Sequence, residues 1–254
     1  MKKPSASRHP KHKQSQPKNT HNTAHKTATN TKQTAAGNVR IIGGQFKRRS
    51  VNFIAADGLR PTPDRLRETL FNWLLADMHG ARVLDSCAGS GVLGFEALSR
   101  GAAHCSFIET NRAQSQMLLQ SAEQLGIATE RYQIMHGAAE QVLSQSQSQS
   151  QSQSQNQAFQ QPFDMVFIDP PYADDLWQPI LTALINQSLI SSETLIYLEA
   201  DKDLSPQLAE LAMTLVAGVA GNENLAMPAC DHFECLKQTR VGQVVAGLYR
   251  LSSS

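Results

Sequence analysis

Asp169-Pro170-Pro171-Tyr172 is the stretch whose residue types and spacing offer the most chemistry. Asp169 and the carbonyl of Pro170 can each accept a hydrogen bond from an exocyclic amino group. A ring such as Tyr172 can stack on a nucleobase, an interaction of roughly 1–3 kcal/mol. Together they suit a flat, amino-bearing ligand; the plainer alternative is a proline-rich turn carrying a surface tyrosine. The preceding run, Met165 to Ile168, reads as a buried strand of a parallel sheet. Neither proline can donate a backbone hydrogen bond, so strand pairing must end there. The residue before each proline is pushed toward extended backbone, giving a stiff, open turn. In open α/β sheets, that carboxyl edge is where ligands sit.

A second constellation begins at Ala81-Arg82-Val83-Leu84-Asp85, which reads as the first core strand. It feeds a loop in which Gly89, Gly91 and Gly94 match GxGxxG, and a helix follows through Glu96-Ala97-Leu98. Glycines let backbone turn tightly and approach a ligand closely. Ser106-Phe107-Ile108-Glu109 is a second strand ending in an acid, about 20 residues beyond the glycines, where a carboxylate can accept both ribose hydroxyls. The pair points to an adenosine-bearing cofactor. Tyr132 to Met135 is a third strand, and His136-Gly137-Ala138 at its end could line an adenine pocket. A lone His136 in this position reads as a turn residue rather than as a base.

These strands need helices and a core around them. At 254 residues, 41% hydrophobic and 18% charged, the chain can bury one full α/β core with additions. No apolar stretch approaches the roughly 20 residues that span a bilayer, and the N-terminus lacks the apolar segment of a secretory signal. Cys87, Cys105, Cys230 and Cys235 show no paired CxxC spacing, which favours a reduced, cytosolic protein over a zinc site. Arg112 to Leu125 reads as a helix burying Met117, Leu118, Ala122 and Leu125; Trp177 to Ile190 is another. Thr194 to Glu199 reads as a buried strand, and Gly242 to Arg250 as a final strand pairing antiparallel at the sheet's far end.

Charge is unevenly spread. Residues 1–37 hold eight lysines and arginines and no acid, although the whole chain is only +1, so the body is acidic. Lys, His, Thr, Gln and Asn dominate this stretch, which predicts a disordered basic tail, either an RNA tether or a solubilising tail. Its histidines (His9, His12, His21, His25) lack the spacing of a metal site. Residues 144–161 form a Ser/Gln repeat, expected as an inserted loop. Between them, residues 38–80 read as two strands around Gly43-Gly44 and a helix. Thr62 suits its N-cap, Pro63 its first turn, and Leu66, Leu70 and Leu74 its apolar face. Arg40, Lys47, Arg48, Arg49, Arg60, Arg65 and Arg67 crowd here, as a phosphate-binding surface or an ordinary solvated face.

The combined loops resemble a class I S-adenosylmethionine-dependent methyltransferase acting on an exocyclic base nitrogen, since Asp169 to Tyr172 matches the N/D-PP-Y/F signature in full. Val39 to Gly44, Leu59-Arg60-Pro61-Thr62, Arg65, Arg67 to Asn72 and the Gly89 loop resemble the RsmD family, over roughly residues 38–254. The long tail and the Ser/Gln insertion depart from that family's compact form. The resemblance implies an α/β, Rossmann-like fold with a mostly parallel seven-stranded sheet and an antiparallel last strand. A small N-terminal β-hairpin and helix extension over 38–80 would precede a methyltransferase domain over 81–254. It implies transfer from S-adenosyl-L-methionine to N2 of guanine 966 in 16S rRNA, in an assembled or assembling 30S subunit, by a cytoplasmic monomer without metal.

On this resemblance, Asp85, Ala88, Gly89, Gly91, Gly94, Glu109, His136 and Ala138 would surround the cofactor. Asp169, Pro170 and Tyr172 would serve catalysis, with Arg40, Lys47, Arg48, Arg60, Arg65, Arg67 and Pro171 facing RNA. Competing readings are an adenine or cytosine amino-methyltransferase, which usually needs a separate recognition domain, and a protein glutamine methyltransferase, which favours Asn where Asp169 stands. A nicotinamide dehydrogenase has no evident use for Asp-Pro-Pro-Tyr. An inactive RNA-binding module would use the basic cluster alone.

Overall fold

The computed structural model describes residues 36–54, 61–145, 159–171, 176–219 and 232–252. All of them belong to one compact unit, Thr34 to Ser254. Its centre is a seven-stranded sheet: β3 (Arg82–Asp85), β4 (His104–Glu109), β5 (Tyr132–His136), β6 (Met165–Ile168), β7 (Leu195–Ala200), β8 (His232–Val241) and β9 (Val244–Ser252). They lie in the order β5-β4-β3-β6-β7-β9-β8. Neighbours from β5 to β7 are parallel; β9 runs antiparallel to both β7 and β8. The mostly parallel sheet with a reversed last strand is therefore as the family resemblance implies, although that strand lies inside the sheet, between β7 and the edge strand β8.

Side chains on β6 alternate between the two faces. Met165 and Phe167 join one core with Phe71, Phe95 and Phe107, while Val166 and Ile168 join another with Leu84, Phe163 and Trp177. A strand covered on both sides has no polar face, which explains its unbroken apolar run. The covering helices are α1 (Asp64–Trp73), α2 (Val92–Ser99), α3 (Arg112–Leu125), α4 (Ala139–Ser144), α5 (Trp177–Asn186) and α6 (Ser205–Val219). In α3, Asn111 caps the start through Ala113 and Gln114 N–H, and Gly126 ends it at φ 70°. Its buried side includes the polar Gln114, Ser115 and Ser121, while Met117 is only half-buried. Helix α5 stops four residues short of the expected Ile190, where Ser188 turns to φ 54°.

The N-terminal hairpin pairs β1 (Ala36–Arg40) antiparallel with β2 (Ser50–Ile54). Its first strand begins at Ala36, inside the stretch expected as tail. The hairpin and α1 then cover α2, all eight residues of which are buried. Phe46 N–H donates to Ser99 Oγ (2.8 Å), Ser99 Oγ–H to the Gly43 carbonyl (2.6 Å), and Ile42 N–H to Glu96 Oε2 (2.9 Å). Phe71 of α1 meets Phe167 of β6 edge-on at 6.0 Å. Of the Ser/Gln stretch, residues 146–158 lie outside the described residues. Phe159 beyond them is buried, edge-on to Phe163 at 6.2 Å.

Candidate active site

Parallel neighbours bring four strand ends to one rim. Asp85 pairs with Phe167, Glu109 with His136, and Ile168 with Leu198, so Asp85, Glu109, Asp169 and Glu199 all lie at carboxyl ends of adjacent strands. Chain order changes direction between β3 and β6, and such a switch point opens a crevice for a ligand.

The glycine loop is held by its own surroundings. Glu109 Oε2 accepts from Gly89 N–H (2.8 Å) and Oε1 from Asn111 N–H (2.7 Å). Gln114 donates to the Gly89 carbonyl at 2.7 Å, and Ala88 N–H ties the loop to the Ile108 carbonyl at 2.9 Å. Gly91 caps α2 at φ 73°, a left-handed conformation that favours glycine. Gly94 serves packing: a Cβ there would stand 2.2 Å from the Phe107 ring, and its N–H is given to Asp85 Oδ2 at 3.0 Å. Close helix–strand approach is thus a structural reason for glycine at position 94.

Burial lifts the Asp85 carboxyl from 3.8 to about 7, against the lowering hydrogen bond from Gly94 and with the Glu109 charge adding to the rise. Burial likewise pushes the Cys87 thiol upward, beside Asp169, Asp85 and Glu109. His136 is exposed at the end of β5, and Ala138 precedes α4 as its N-cap. Among the described residues, no group of three or more His, Cys, Asp or Glu could hold a metal ion.

At the double-proline corner Asp169 is half-buried, Pro170 buried and Pro171 exposed. Thr62 donates its hydroxyl to Asp169 Oδ2 at 3.2 Å. Thr62 does not cap α1; Pro63 holds the N-cap position, without a side-chain capping bond. Burial raises the Asp169 carboxyl well above the usual range, with Glu199 and Asp85 adding to the rise and the Thr62 bond opposing it. Glu199, itself buried, accepts from the Tyr197 hydroxyl at 2.9 Å. Tyr172 and Arg60 lie outside the described residues.

Both Thr62 and Glu199 escape the sequence reading as site residues. For Glu199 a signal exists, since it ends an apolar strand just as Glu109 does. Among the expected RNA contacts, Arg40, Lys47, Arg48 and Arg65 are exposed. Arg67 is not. It is completely buried, pairing with Asp64 (2.5 Å) and Glu96 (3.4 Å) and donating through Nε to the Thr62 carbonyl (3.1 Å). Arg49 is also spent, donating to the carbonyls of Leu125 (2.8 Å) and Gln124 at the end of α3.

Sheet order, glycine turn and acid-bearing rim define a class I methyltransferase fold. The family described as Conserved hypothetical protein 95 matches residues 39–229, and the chain belongs to it, the RsmD family of methyltransferases. Ribosomal RNA small subunit methyltransferase D of Haemophilus influenzae is 37% identical over 169 residues, 66% of this chain and 82% of that protein. Its Escherichia coli counterpart is 39% identical over 166 residues, 65% and 76% of the two chains. The solved yhhF protein of Escherichia coli superposes with a TM-score of 0.62 at 30% identity, covering 86% of this chain and 100% of that one.

Proposed function

We propose that this enzyme transfers a methyl group from S-adenosyl-L-methionine to the N2 amine of a guanine in small-subunit ribosomal RNA. The observation that carries the reading is the adjacency of β3 and β6, which sets the glycine loop beside the Asp169 corner. The names of the relatives support the RNA substrate, and the family resemblance supports guanine 966 of 16S rRNA. Such a substrate implies a cytoplasmic enzyme working on a ribosomal particle. Among the described residues, Cys87, Cys105 and Cys235 carry free thiols, as a reducing compartment would keep them.

The residues present fit the cofactor. Each Glu109 oxygen carries one backbone donor and the Thr110 hydroxyl also reaches Oε1 at 3.4 Å, which fixes the carboxylate; Oε2 keeps a lone pair for a ribose hydroxyl, and Oε1 can take the second if the weak Thr110 bond yields. Asp85 and the Gly89–Gly91 backbone would face the methionine end, with Ala88, His136 and Ala138 around the nucleoside. When bound, the sulfonium supplies a methyl group open to in-line displacement, the C–S electron pair returning to sulfur as the N–C bond forms.

A guanine amine is a weak nucleophile because its lone pair is delocalised into the ring. Asp169 and the Pro170 carbonyl accept its two hydrogens, favour a pyramidal nitrogen and stabilise the positive charge that develops there. Holding the amine in line with the methyl supplies much of the remaining acceleration. Tyr172 stacks on the base once it has left its helix or loop. The methylated amine then loses a proton to water, so no strong general base is needed. Exposed Arg40, Lys47, Arg48 and Arg65 neutralise phosphates around the base, and Pro171 lies against it.

Nucleoside mass spectrometry of small-subunit RNA tests this reading. RNA from a strain lacking the protein is expected to lose N2-methylguanosine at one position, and the purified enzyme with S-adenosyl-L-methionine to restore it. Unchanged modification in that strain would refute the reading.

A further inference from the structure

Asp169 must present one oxygen to the substrate amine in a fixed direction, yet its own strand gives it little help. The chain ahead of it is proline, and no cation pairs with it among the described residues. Its neighbours are acidic or neutral: Glu199 at the end of β7, Asp85 at the end of β3, and the Cys87 thiol in the loop. Thr62 is its one hydrogen-bond donor among the described residues, and that donor comes from 107 positions earlier in the chain.

Thr62 is unusually well held for a residue preceding a helix. It is buried, its carbonyl accepts from Arg67 Nε at 3.1 Å, and Arg67 Nη1 reaches Glu96 Oε2 at 3.4 Å. Glu96 lies on α2, the helix that rises from the glycine loop. A chain of contacts therefore runs from the cofactor helix, through Glu96, Arg67 and Thr62, to Asp169. A threonine in this place would ordinarily cap α1, but its hydroxyl serves Asp169 instead.

We propose that Thr62 is a positioning residue: its hydroxyl occupies Asp169 Oδ2 and so aims Oδ1 at the substrate amine. This rests on the role of Asp169 in the proposed function. It makes the N-terminal extension part of the catalytic apparatus as well as an RNA-binding surface. The same bond favours the ionised carboxylate, the form that leaves Oδ1 free to accept the amine hydrogen directed at Asp169, against burial and the charges of Glu199 and Asp85.

The test uses the full-length enzyme, with Thr62→Val to remove the hydroxyl at nearly constant volume and Thr62→Ser to keep it. Single-turnover methyl transfer into small-subunit RNA is expected to fall about ten- to a hundredfold in Thr62→Val. Thr62→Ser should recover most of that rate, and S-adenosylhomocysteine affinity should stay near wild type in both. The acid limb of the rate–pH profile should move to higher pH in Thr62→Val, because Asp169 then protonates more readily. A merely structural threonine would lower stability without moving that limb. An unchanged rate and limb in Thr62→Val, or a Thr62→Ser variant as slow as Thr62→Val, would overturn the proposal.

Carbon NMR of the Asp169 carboxyl, titrated without RNA, separates this claim from the substrate assignment. Its titration should shift upward in Thr62→Val even if the RNA target were different, and an identical titration would count against Thr62. If Thr62→Val fails to fold, the wild-type protein still decides. The Thr62 hydroxyl proton should resist exchange above the pH where Asp169 ionises and exchange freely below it; free exchange throughout would contradict the proposal.

Discussion

At the glycine loop, polar groups answer one another over short stretches of chain: Asp85 meets Gly94 nine residues on, Glu109 meets Gly89 across 20, and Gln114 meets Gly89 across 25. At the double-proline corner, Asp169 meets Thr62 across 107 residues. One half of the rim is organised by its own strand–turn–helix unit. The other becomes complete only when the N-terminal hairpin and α1 dock on α2 and the sheet. Local contacts cost little loop-closure entropy, whereas the long-range one needs a bridge to keep it. Arg67 and Glu96, both with fully buried side chains, form that bridge.

Breaking the bridge should have the largest effect. Arg67→Ala leaves Glu96 buried with one partner fewer, and is expected to destabilise the protein by about 3–5 kcal/mol in urea unfolding. Gly94→Ala strikes the self-contained half instead. Its methyl would meet Phe107, so a loss of about 1–3 kcal/mol is expected, with weaker S-adenosylhomocysteine binding by calorimetry.

A pH series sharpens the contrast further. Asp85 ionises less readily folded than unfolded, so its contribution to stability is full below about 3.8 and is lost as pH rises through about 7. Asp85→Asn should flatten that part of the stability–pH curve, read by thermal unfolding. A cationic ligand prefers the ionised form, so S-adenosylmethionine should bind more tightly as pH rises through about 7 in wild type, and much less so in Asp85→Asn. The smallest effect is expected at exposed Arg65. Arg65→Ala should change stability by no more than about 0.5 kcal/mol while reducing the salt slope of RNA binding by about 1.

The self-contained half was the more legible in sequence. GxGxxG and a strand ending in an acid are local patterns, and their partners lie within a few turns. Helix α3 could be read to the residue because Asn111 and Gly126 mark its ends. Strand β6 was equally plain, bounded as it is by two prolines. The long-range half resisted. Arg67 sits among basic residues, so charge alone suggests a phosphate contact. Its spacing from Leu70, Phe71 and Leu74 in fact places it on the buried stripe of α1. Its partner Glu96 is 29 positions away, beyond any local pattern. Thr62 looked like a cap because capping threonines and this one share the same sequence neighbours. Helix α4 is only six residues long, and edge strand β8 mixes exposed charges with half-buried positions, so neither gave a clear period.

The proposed chemistry turns on Asp169, so the decisive measurement is single-turnover transfer by Asp169→Ala, with cofactor affinity measured on the same preparation. The rate into small-subunit RNA is expected to fall about a hundred- to a thousandfold, while S-adenosylhomocysteine binds as in wild type, because in the proposed mechanism Asp169 acts on the amine and the cofactor is held across the rim. Transfer at the wild-type rate would contradict it.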